Sequence, residues 1–527
     1  MKKIIVLLIA VTFCLVVFAS CGRGRVAETI RQPVVATDIR SRNAIITPPM
    51  SDTLADILNN ALVRRESINR PAETALIPLT TGRIVTVWEN TLHSWRVMPR
   101  NRPLEPIVSS ANASFDVSLF FSALSSLYAP YIYFGGSAVF LPVRDSLLYA
   151  ISQREYWYPC ELEELIYESL APIILDSHFR FGSRRFRGEM EIFQYNRQFG
   201  RSEYGFFCLY RGLYVHELLL QCNPDLYVNV QDAFRFSMDE SGEAFFYAIV
   251  IALPAPANEF PTYYLKIVYE DGIYEIAPME MLASSRSRGE DWEPPLDHYP
   301  SFEVIQGIPV IAIGRMGRFT ATIDQPGSRE ARQFLALTEQ VRYEPAFILD
   351  LRNHAGGYGE LPSQWFRRLT RQDIPPNSIN FAIRNYDSYV AWLRNAPRPF
   401  SPDPVFFDRN HITYELPPCG VVANNQLIIV LVDRYTASAG ERMVDLAFSL
   451  ENTLVVGQNT AGVYITGSGW IDSNLPWSGI PFDFSIDMRV FPEGHFTEGL
   501  GFAPDIWVIG DALTAALNML NYHIGIR

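Results

Sequence analysis

Hydrophobic and polar positions divide the chain into a helical part, a strand-rich part and a part where strands and helices alternate. Residues 115–124 and 161–174 place apolar side chains at helical spacing, which predicts two helices. Residues 180–300 differ, because segments such as 263–269 alternate apolar and polar positions and are followed by a glycine turn at 270–272. That alternation before a glycine turn predicts β-hairpins.

From about residue 302 onward, short apolar runs alternate with amphipathic segments. An unbroken apolar run predicts a strand buried on both faces, and a β-α-β order predicts a mainly parallel sheet with helices packed on it. The predicted strands lie at 310–313, 347–351, 427–432 and 453–456, and the predicted helices at 330–341 and from about Ser438. We therefore expect an α/β fold, with a largely helical cap over 51–179, a β-rich middle region over 180–300 and a core over 301–527.

The N-terminus has the pattern of an export signal. Two lysines precede an apolar run over 4–18, which is short for a membrane span, and small residues then lead to Cys21. The end of the run, Phe-Ala-Ser-Cys, resembles a bacterial lipobox, which implies cleavage before Cys21 and attachment of lipid to it. We expect a signal peptide over 1–20, a tether over 21–50 and a lipid anchor in the bacterial cell envelope, facing outside the cytoplasm. A plain signal peptide or a short membrane anchor is the alternative.

The charge balance and the cysteines argue against two classes of function. The chain carries 44 basic and 57 acidic side chains, a net charge of −13, without clusters of Lys or Arg, which argues against nucleic acid as a partner. The cysteines beyond the signal are far apart and have no C-x-x-C spacing; they are Cys160, Cys208, Cys222 and Cys419. No metal or other cofactor is expected, and one or two disulfides among these cysteines stay open.

Two loops that follow predicted strands carry residues suited to chemistry. The first ends in Gly356 and Gly357, where glycine allows a sharp turn with uncovered N–H groups. A simple tight turn is the more common meaning of such a pair. The second places Ser438 at a strand-to-helix junction, where the hydroxyl is either an N-cap or a nucleophile beside the N–H of Ala439.

Taken in order along the chain, these segments resemble a known family. An apolar strand ending in Asp-Leu-Arg-x-x-x-Gly-Gly at 350–357 is followed by one that leads to Ser-Ala-Gly-Glu at 438–441. A strand-then-glycine turn at 457–462 and a Glu-x-x-Gly-x-x-Pro-Asp segment at 498–505 come next. Together they resemble the tail-specific (C-terminal-processing) and tricorn-core serine peptidases, and the resemblance implies a crotonase-like ββα core.

The family has two catalytic styles, and the lysines of this chain distinguish them. The tail-specific branch uses a Ser–Lys dyad, and the position of its lysine is Val463 here. Beyond the signal the chain has only Lys266, in the predicted hairpin region. The tricorn branch uses a Ser-His-Ser-Glu tetrad, and its Asp-Ser-His pattern is matched at 176–178. The resemblance therefore implies the tricorn-like branch.

That branch implies a role for each matched residue. The expected catalytic residues are Ser438 as nucleophile, His178 as general base, and Ser177 and Glu498 as residues that orient His178; the expected oxyanion donors are Ala439 and either Gly356 or Gly357. Because the imidazole must be neutral to accept a proton, activity is expected to rise near the ordinary histidine pKa of about 6.5.

Neighbouring features receive supporting roles, and other functions stay open. Asp350 and Arg352 are expected to buttress the site, His354 to be a loop substitution, and residues 358–420 to form a lid or substrate wall. The expected substrate is a peptide or protein. The alternatives are a catalytically silent ligand- or peptide-binding lipoprotein on the same fold, or an acyl-ester hydrolase, since a Ser–His site does not itself choose amide over ester.

Changing Cys21 to alanine tests the predicted lipid anchor. Because the thiol is the expected site of attachment, Cys21→Ala should abolish incorporation of a labelled fatty acid, whereas the wild-type protein should be labelled and fractionate with membranes. Metabolic labelling followed by fractionation measures both, with Cys14→Ala inside the apolar run as the matched control. A Cys21→Ala band that is labelled as strongly as the control would show that the predicted anchor is wrong.

Overall fold

The computed structural model describes the greater part of the chain. It covers residues 54–68, 107–131, 133–186, 190–221, 226–242, 244–254, 263–281, 300–317, 326–376, 379–382, 421–467, 471–485, 487–491 and 494–524. The predicted signal peptide, the tether with Cys21 and most of the predicted lid lie outside these residues. Among the helices described, none is both long enough and apolar enough to cross a membrane.

The helices within the described residues include some that begin at residues suited to a helix N-terminus. They are α1 (Leu54–Ile68), α2 (Ser110–Leu127), α3 (Gly136–Ser152), α4 (Pro159–Leu170), α5 (Val230–Ala233), α6 (Pro326–Val341), α7 (Leu361–Thr370), α8 (Ala439–Ala447) and α9 (Ala512–Ile524). Ser109 caps α2, because its hydroxyl oxygen accepts the N–H of Asn112 at 3.3 Å. Pro159 opens α4, where its missing N–H removes no helical hydrogen bond.

Most of the strands are short, and they follow the apolar runs and alternating segments of the sequence. They are β1 (Val108–Ser109), β2 (Tyr156–Trp157), β3 (Asp176–Phe181), β4 (Arg184–Phe186), β5 (Met190–Ser202), β6 (Gly205–Cys208), β7 (Val215–Gln221), β8 (Leu226–Val228), β9 (Phe234–Met238), β10 (Ala244–Pro254), β11 (Tyr264–Tyr269), β12 (Tyr274–Pro278), β13 (Glu280–Met281), β14 (Ser301–Ile305), β15 (Ile308–Ala312), β16 (Ala346–Asp350), β17 (Ile379–Ala382), β18 (Leu427–Val432), β19 (Thr453–Gly457), β20 (Ile471–Asn474), β21 (Pro481–Phe484), β22 (Asp487–Val490) and β23 (Ile506–Val508).

One large sheet with a parallel centre forms the core. Its order is β13-β5-β10-β9-β23-β19-β18-β16-β15-β14, with β6 added beside β5. Strands β15, β16, β18, β19, β23 and β9 run parallel, and the strands on either side of them pair antiparallel. Every residue of β18 is buried, as its unbroken apolar sequence predicts. The predicted α/β fold with a mainly parallel core sheet is confirmed.

Helices cover both faces of the parallel strands. On one face α6, α7 and α8 share a buried cluster that includes Phe334, Trp365 and Met443. On the other face α1 and α9 pack together, with Ile57 of α1 fully within that cluster. Helix α1 therefore belongs to the core, although the sequence places it in the cap over 51–179. Periodicity predicts that a helix has an apolar face but not which sheet that face covers.

The remaining N-terminal helices, α2, α3 and α4, form a cap on a small separate sheet. That sheet has the order β20-β21-β3-β4, so it combines strands that follow the cap helices with strands that precede β23. Phe120 of α2 packs against Phe181 and Phe482, with ring centroids 4.8 and 5.3 Å apart. Asp116 of α2 accepts the N–H of Ser478 at 2.7 Å. The cap and the core are thus joined through a shared sheet.

The middle region is continuous with the core sheet. Strands β5, β6, β9, β10 and β13 extend that sheet beyond β23, whereas β7, β8, β11 and β12 form a four-stranded sheet of their own. Within the described residues, one sheet therefore contains strands from both sides of the boundary predicted at residue 300. Local alternation predicts strands, but it does not reveal the distant strands with which they pair. Cys160 is exposed and Cys208 is buried, both as free thiols. Cys222 and Cys419 lie outside the described residues.

A buried ion pair fastens α1 to the core. Arg65 of α1 pairs with Asp505, and both side chains are almost inaccessible to solvent. Arg65 also donates to the carbonyl oxygen of Thr453 at 2.8 Å, and its guanidinium lies 4.9 Å from the centre of the Phe448 ring. Because a buried charge is costly without its partner, this pair makes α1 part of the folded core.

Removing Arg65 is expected to destabilise the protein strongly. Arg65→Met leaves the Asp505 carboxylate buried without its cation, so the free energy of unfolding should fall by about 3–5 kcal/mol. Arg367→Met, the control, breaks an exposed pair with Asp373 and should cost less than about 1 kcal/mol. Urea denaturation followed by circular dichroism measures both. Equal losses for the two variants would contradict the anchoring role of Arg65.

Candidate active site

Ser438 lies at the turn between strand β18 and helix α8, as the sequence predicts. Its backbone has φ 52° and ψ −107°, and a positive φ is rare for residues other than glycine. The conformation is held by Glu441, whose Oε2 accepts the Ser438 N–H at 2.9 Å. A strained strand-to-helix turn of this kind is how nucleophilic serines are exposed at the edge of a sheet.

His178 comes from strand β3 of the shared sheet and meets Ser438 across the boundary between cap and core. Ser438 Oγ lies 3.3 Å from His178 Nε2, a contact between residues 260 positions apart. The residue is only 8% exposed. The structure therefore brings the two residues predicted as nucleophile and base to hydrogen-bond distance.

Glu498 holds the main chain beside His178. Its Oε1 accepts the N–H of Ser177 at 3.0 Å, and its Oε2 accepts the N–H groups of Tyr464 at 3.0 Å and Ile465 at 2.9 Å. Within the described residues, His178 Nδ1 is buried without a hydrogen-bond partner. Ser177 and Glu498 thus lie next to the base, but their contact runs through a backbone amide and not through the serine hydroxyl.

A second buried carboxylate, that of Glu441, joins the nucleophile turn to the glycine turn after β19. No role is predicted for it from the sequence. Besides the Ser438 N–H, Glu441 accepts hydrogen bonds from the hydroxyl of Thr460 at 2.7 Å and the N–H groups of Gly462 at 2.8 Å and Val463 at 2.9 Å. The spacing of Ser438 and Glu441, three residues apart at a helix start, is that of a capping box and is the signal that could have identified this contact.

The loop after β16 brings its two glycines against the nucleophile turn. A Cβ on Gly356 would lie 3.0 Å from Ser438 Cβ, and one on Gly357 would lie 2.0 Å from a backbone carbonyl oxygen, so a side chain fits at neither position. The Gly356 N–H donates to His354 Nδ1 at 3.0 Å, whereas the Gly357 N–H has no hydrogen-bond acceptor among the described residues. Ala439 opens α8, where N–H groups lack an intrahelical acceptor. Gly357 and Ala439 are therefore better placed as oxyanion donors than Gly356.

His354, expected from sequence to be a loop substitution, supports both loops from inside the protein. Its side chain is fully buried. A Cβ on Gly440 of α8 would lie 2.7 Å from His354 Nδ1, so the imidazole packs directly against the start of that helix. The His354 carbonyl oxygen accepts the N–H of Ala437 at 2.9 Å. The residue thus links the glycine loop to the nucleophile turn.

Burial and two nearby arginines keep the His178 imidazole neutral. Burial first, and then the positive charges of Arg489 and Arg185, lower the pKa of His178 to about 3. Arg185 donates to the carbonyl oxygen of Ser177 at 3.3 Å, and Arg489 donates to that of Tyr464 at 3.0 Å. A neutral imidazole can accept the serine proton at physiological pH. The ordinary histidine pKa expected from sequence does not apply, because the sequence does not reveal this burial.

A cavity of about 540 Å³ lies at the carboxyl ends of the parallel strands, next to the loop that leads to Ser438. Asp433 and Arg352 are part of its lining, and Ser438 is not. Arg352 forms an ion pair with Asp350 at 2.7 Å and another with Asp511, so it fastens these loops to each other.

In the part of the chain that the structure describes, no group of His, Cys, Asp and Glu side chains is arranged to hold a metal ion.

A serine hydroxyl bonded to a neutral imidazole, with backbone N–H groups at hand, is the arrangement found in serine hydrolases. Residues 310–508 match the model of peptidase family S41. The match covers less than half of the chain, and it confirms the resemblance to the tail-specific and tricorn-core peptidases at the level of this family. The matched residues include Ser438 and Glu498, whereas His178 lies before them in the chain.

Several solved structures match most of this chain at low sequence identity. Mature CPAF is 14% identical, with a TM-score of 0.38 and coverage of 79% of this chain and 96% of that chain. A lipoprotein from Streptococcus agalactiae is 12% identical, with a TM-score of 0.34 and coverage of 80% and 99%. The photosystem II D1 C-terminal processing protease is 14% identical, with a TM-score of 0.33 and coverage of 76% and 93%. Comparison with the curated proteins gives no match.

The acid limb of the activity profile is expected to follow buried carboxylates and not the imidazole. Burial raises the pKa of Glu441 to about 7; burial and the charge of Asp176 raise that of Glu498 to about 8. A neutral carboxyl group accepts N–H groups less strongly than a carboxylate, so protonation of either group weakens the hydrogen bonds that hold the loops of the site. The value of kcat/KM should therefore rise between about pH 6 and pH 8.

Temperature distinguishes the two kinds of group in this profile. Ionisation of a carboxyl group has a small enthalpy and that of an imidazole a large one, so the midpoint of the acid limb should hardly move between two temperatures. A midpoint that falls on warming, as that of an imidazole does, would assign the limb to His178 and contradict the effect of burial described above.

Proposed function

We propose that the protein is a serine peptidase of the tricorn-like branch, with Ser438 as nucleophile and His178 as general base. The observation that carries the proposal is the 3.3 Å contact between Ser438 Oγ and His178 Nε2 at a strained strand-to-helix turn.

The positions of the lysines support a histidine as the base. Val463 occupies the position of the lysine in the Ser–Lys branch, and Lys266 lies in β11 with its Nζ 4.6 Å from the centre of the Tyr274 ring.

The proposed reaction is an acyl transfer in two steps. Ser438 Oγ attacks the peptide carbonyl carbon while its proton passes to His178 Nε2, and the N–H groups of Ala439 and Gly357 stabilise the negative charge on the carbonyl oxygen. The proton then passes from His178 to the leaving amine as the C–N bond breaks, which leaves an ester on Ser438. Water attacks this ester, with His178 again taking the proton and returning it to Ser438.

Glu498 and Ser177 have orienting roles in this proposal. Glu498 accepts the Ser177 N–H, so it restrains the strand from which the imidazole projects and does not itself take the proton. A positioned base contributes on the order of 100- to 10,000-fold to the rate, which makes that restraint part of the mechanism.

We also propose that the protein acts on peptides or proteins from a lipid anchor at Cys21, in the bacterial cell envelope and facing outside the cytoplasm. The lipobox-like end of the apolar N-terminal run supports this location. Two or more acyl chains would be needed for stable attachment to the membrane.

A fluorophosphonate probe, which labels only activated serines, tests the proposed pair. Ser438→Ala is expected to eliminate labelling, and His178→Ala to lower peptide hydrolysis by on the order of 100- to 10,000-fold. Glu498→Gln and Ser177→Ala should cost less, because base and nucleophile remain. The double variant of Ser438 and His178 should be scarcely worse than Ser438→Ala, since members of one catalytic unit are not additive. Lys266→Ala is the control and should behave as the wild type.

Each contrary result has a defined meaning. A folded wild-type protein that resists the probe would favour the catalytically silent binding protein. Full turnover by folded His178→Ala would place the base elsewhere. Hydrolysis of activated esters with no cleavage of any peptide in a random library would favour an acyl-ester hydrolase.

A further inference from the structure

Asp176 lies beside the candidate base and joins it to two other parts of the protein. Its side chain is fully buried. Oδ1 accepts the backbone N–H of His178 at 3.0 Å and the hydroxyl of Thr466 at 2.7 Å, and Oδ2 accepts the hydroxyl of Tyr128 at 3.0 Å. The contacts therefore come from β3 itself, from the chain after the glycine turn, and from the cap.

The two hydroxyl donors are themselves held firmly. Tyr128 ends helix α2 of the cap, and its ring packs on Phe179 at 5.0 Å and Phe484 at 5.5 Å between centroids. Thr466 directly follows Tyr464 and Ile465, whose N–H groups hold Glu498. The backbone of Thr466 and the ring of Tyr128 are thus each held by further contacts within the segment that binds Glu498 and within the cap.

Two carboxylates consequently hold consecutive amides of the strand that carries the base. Glu498 accepts the N–H of Ser177, and Asp176 accepts the N–H of His178. An aspartate that bonds an amide two residues further along restricts the backbone dihedral angles between them. Since the direction of the imidazole follows from those angles, the separation of Nε2 from Ser438 Oγ depends on both contacts.

The charge of Asp176 agrees with this arrangement. Burial raises the pKa of Asp176 to about 6, while the hydrogen bonds from Thr466, Tyr128 and the His178 amide oppose that rise. The carboxyl group is therefore mainly ionised at neutral pH, the form that accepts most strongly from its three donors.

We propose that Asp176 is a positioning residue for His178, which holds the base by its main-chain amide and, through Tyr128, makes the position of the base depend on the docking of the cap. The inference rests on the proposed function, because it concerns the Ser438–His178 pair. It assigns no proton transfer to Asp176.

Single hydroxyl deletions test this role with little disturbance of the fold. Tyr128→Phe and Thr466→Val each remove one donor to Asp176 and are expected to lower kcat about 3- to 10-fold with KM changed less than about twofold. Tyr131→Phe and Thr338→Val are the matched controls and should retain wild-type kcat. Both are buried, and their hydroxyls bond Ser137 within the cap and the Leu335 carbonyl within α6.

The carboxylate itself is tested by two substitutions of different severity. Asp176→Ala removes every contact and is expected to lower kcat about 10- to 100-fold. Asp176→Asn keeps an oxygen for the His178 N–H, so it should recover most of that loss. Rates are divided by the fraction of molecules that a fluorophosphonate probe labels to completion, which removes any contribution from misfolded protein.

The outcomes separate this inference from the proposed function. If Ser438→Ala hydrolyses peptides, the proposed function is wrong. If Ser438→Ala is inactive while Tyr128→Phe and Thr466→Val match their controls, only the role of Asp176 is wrong. A loss that appears in KM alone, or that vanishes once rates are divided by the labelled fraction, also overturns it. Should Asp176→Ala fail to fold, the hydroxyl variants decide the question.

Discussion

The candidate site depends on three buried carboxylates that are held by main-chain amides and hydroxyls. Burying a carboxylate is costly unless hydrogen bonds replace its water, and each of the three obtains those bonds from separate segments of the chain. Glu441 joins the nucleophile turn to the glycine turn, Glu498 joins strand β3 to the segment at 464–465, and Asp176 joins the same strand to the cap. Displacing any one segment would leave a buried carboxyl group short of partners, so the loops of the site are stabilised together.

The site is also divided between two parts of the molecule that are packed by different residues. The nucleophile lies in the part of the chain that matches the S41 family model, and the base projects from a sheet that the cap covers with a cluster of aromatic side chains. The segment 498–505 links the strand that carries the base to helix α1. Glu498 at its start accepts a backbone N–H of that strand, and Asp505 at its end pairs with Arg65 of α1. Helix α1, far away in sequence and on the opposite face of the core sheet, therefore helps to fix the segment from which Glu498 projects.

Local sequence patterns predicted the strands and helices of the core well where all residues of an element share one environment. The apolar run at 427–432 forms β18 at the same residues, and the helix expected from Ser438 begins at Ala439. The same patterns could not place α1, since an apolar helix face fits any sheet of suitable size. They also missed Glu441 and the burial of His354, because a charged residue or a histidine in a loop is usually exposed to water.

By itself the sequence determined the fold class, the order of strands and helices in the core, and the set of residues that resembles a serine peptidase. Those features are written in the period of apolar side chains and in the spacing of short motifs, both of which are local. Only the tertiary structure decided that Glu498 bonds an amide, that the middle strands extend the core sheet, and that His178 is buried and neutral. Hydrogen-bond partners that lie hundreds of residues apart, and the loss of water around a charge, exist only after the chain has folded.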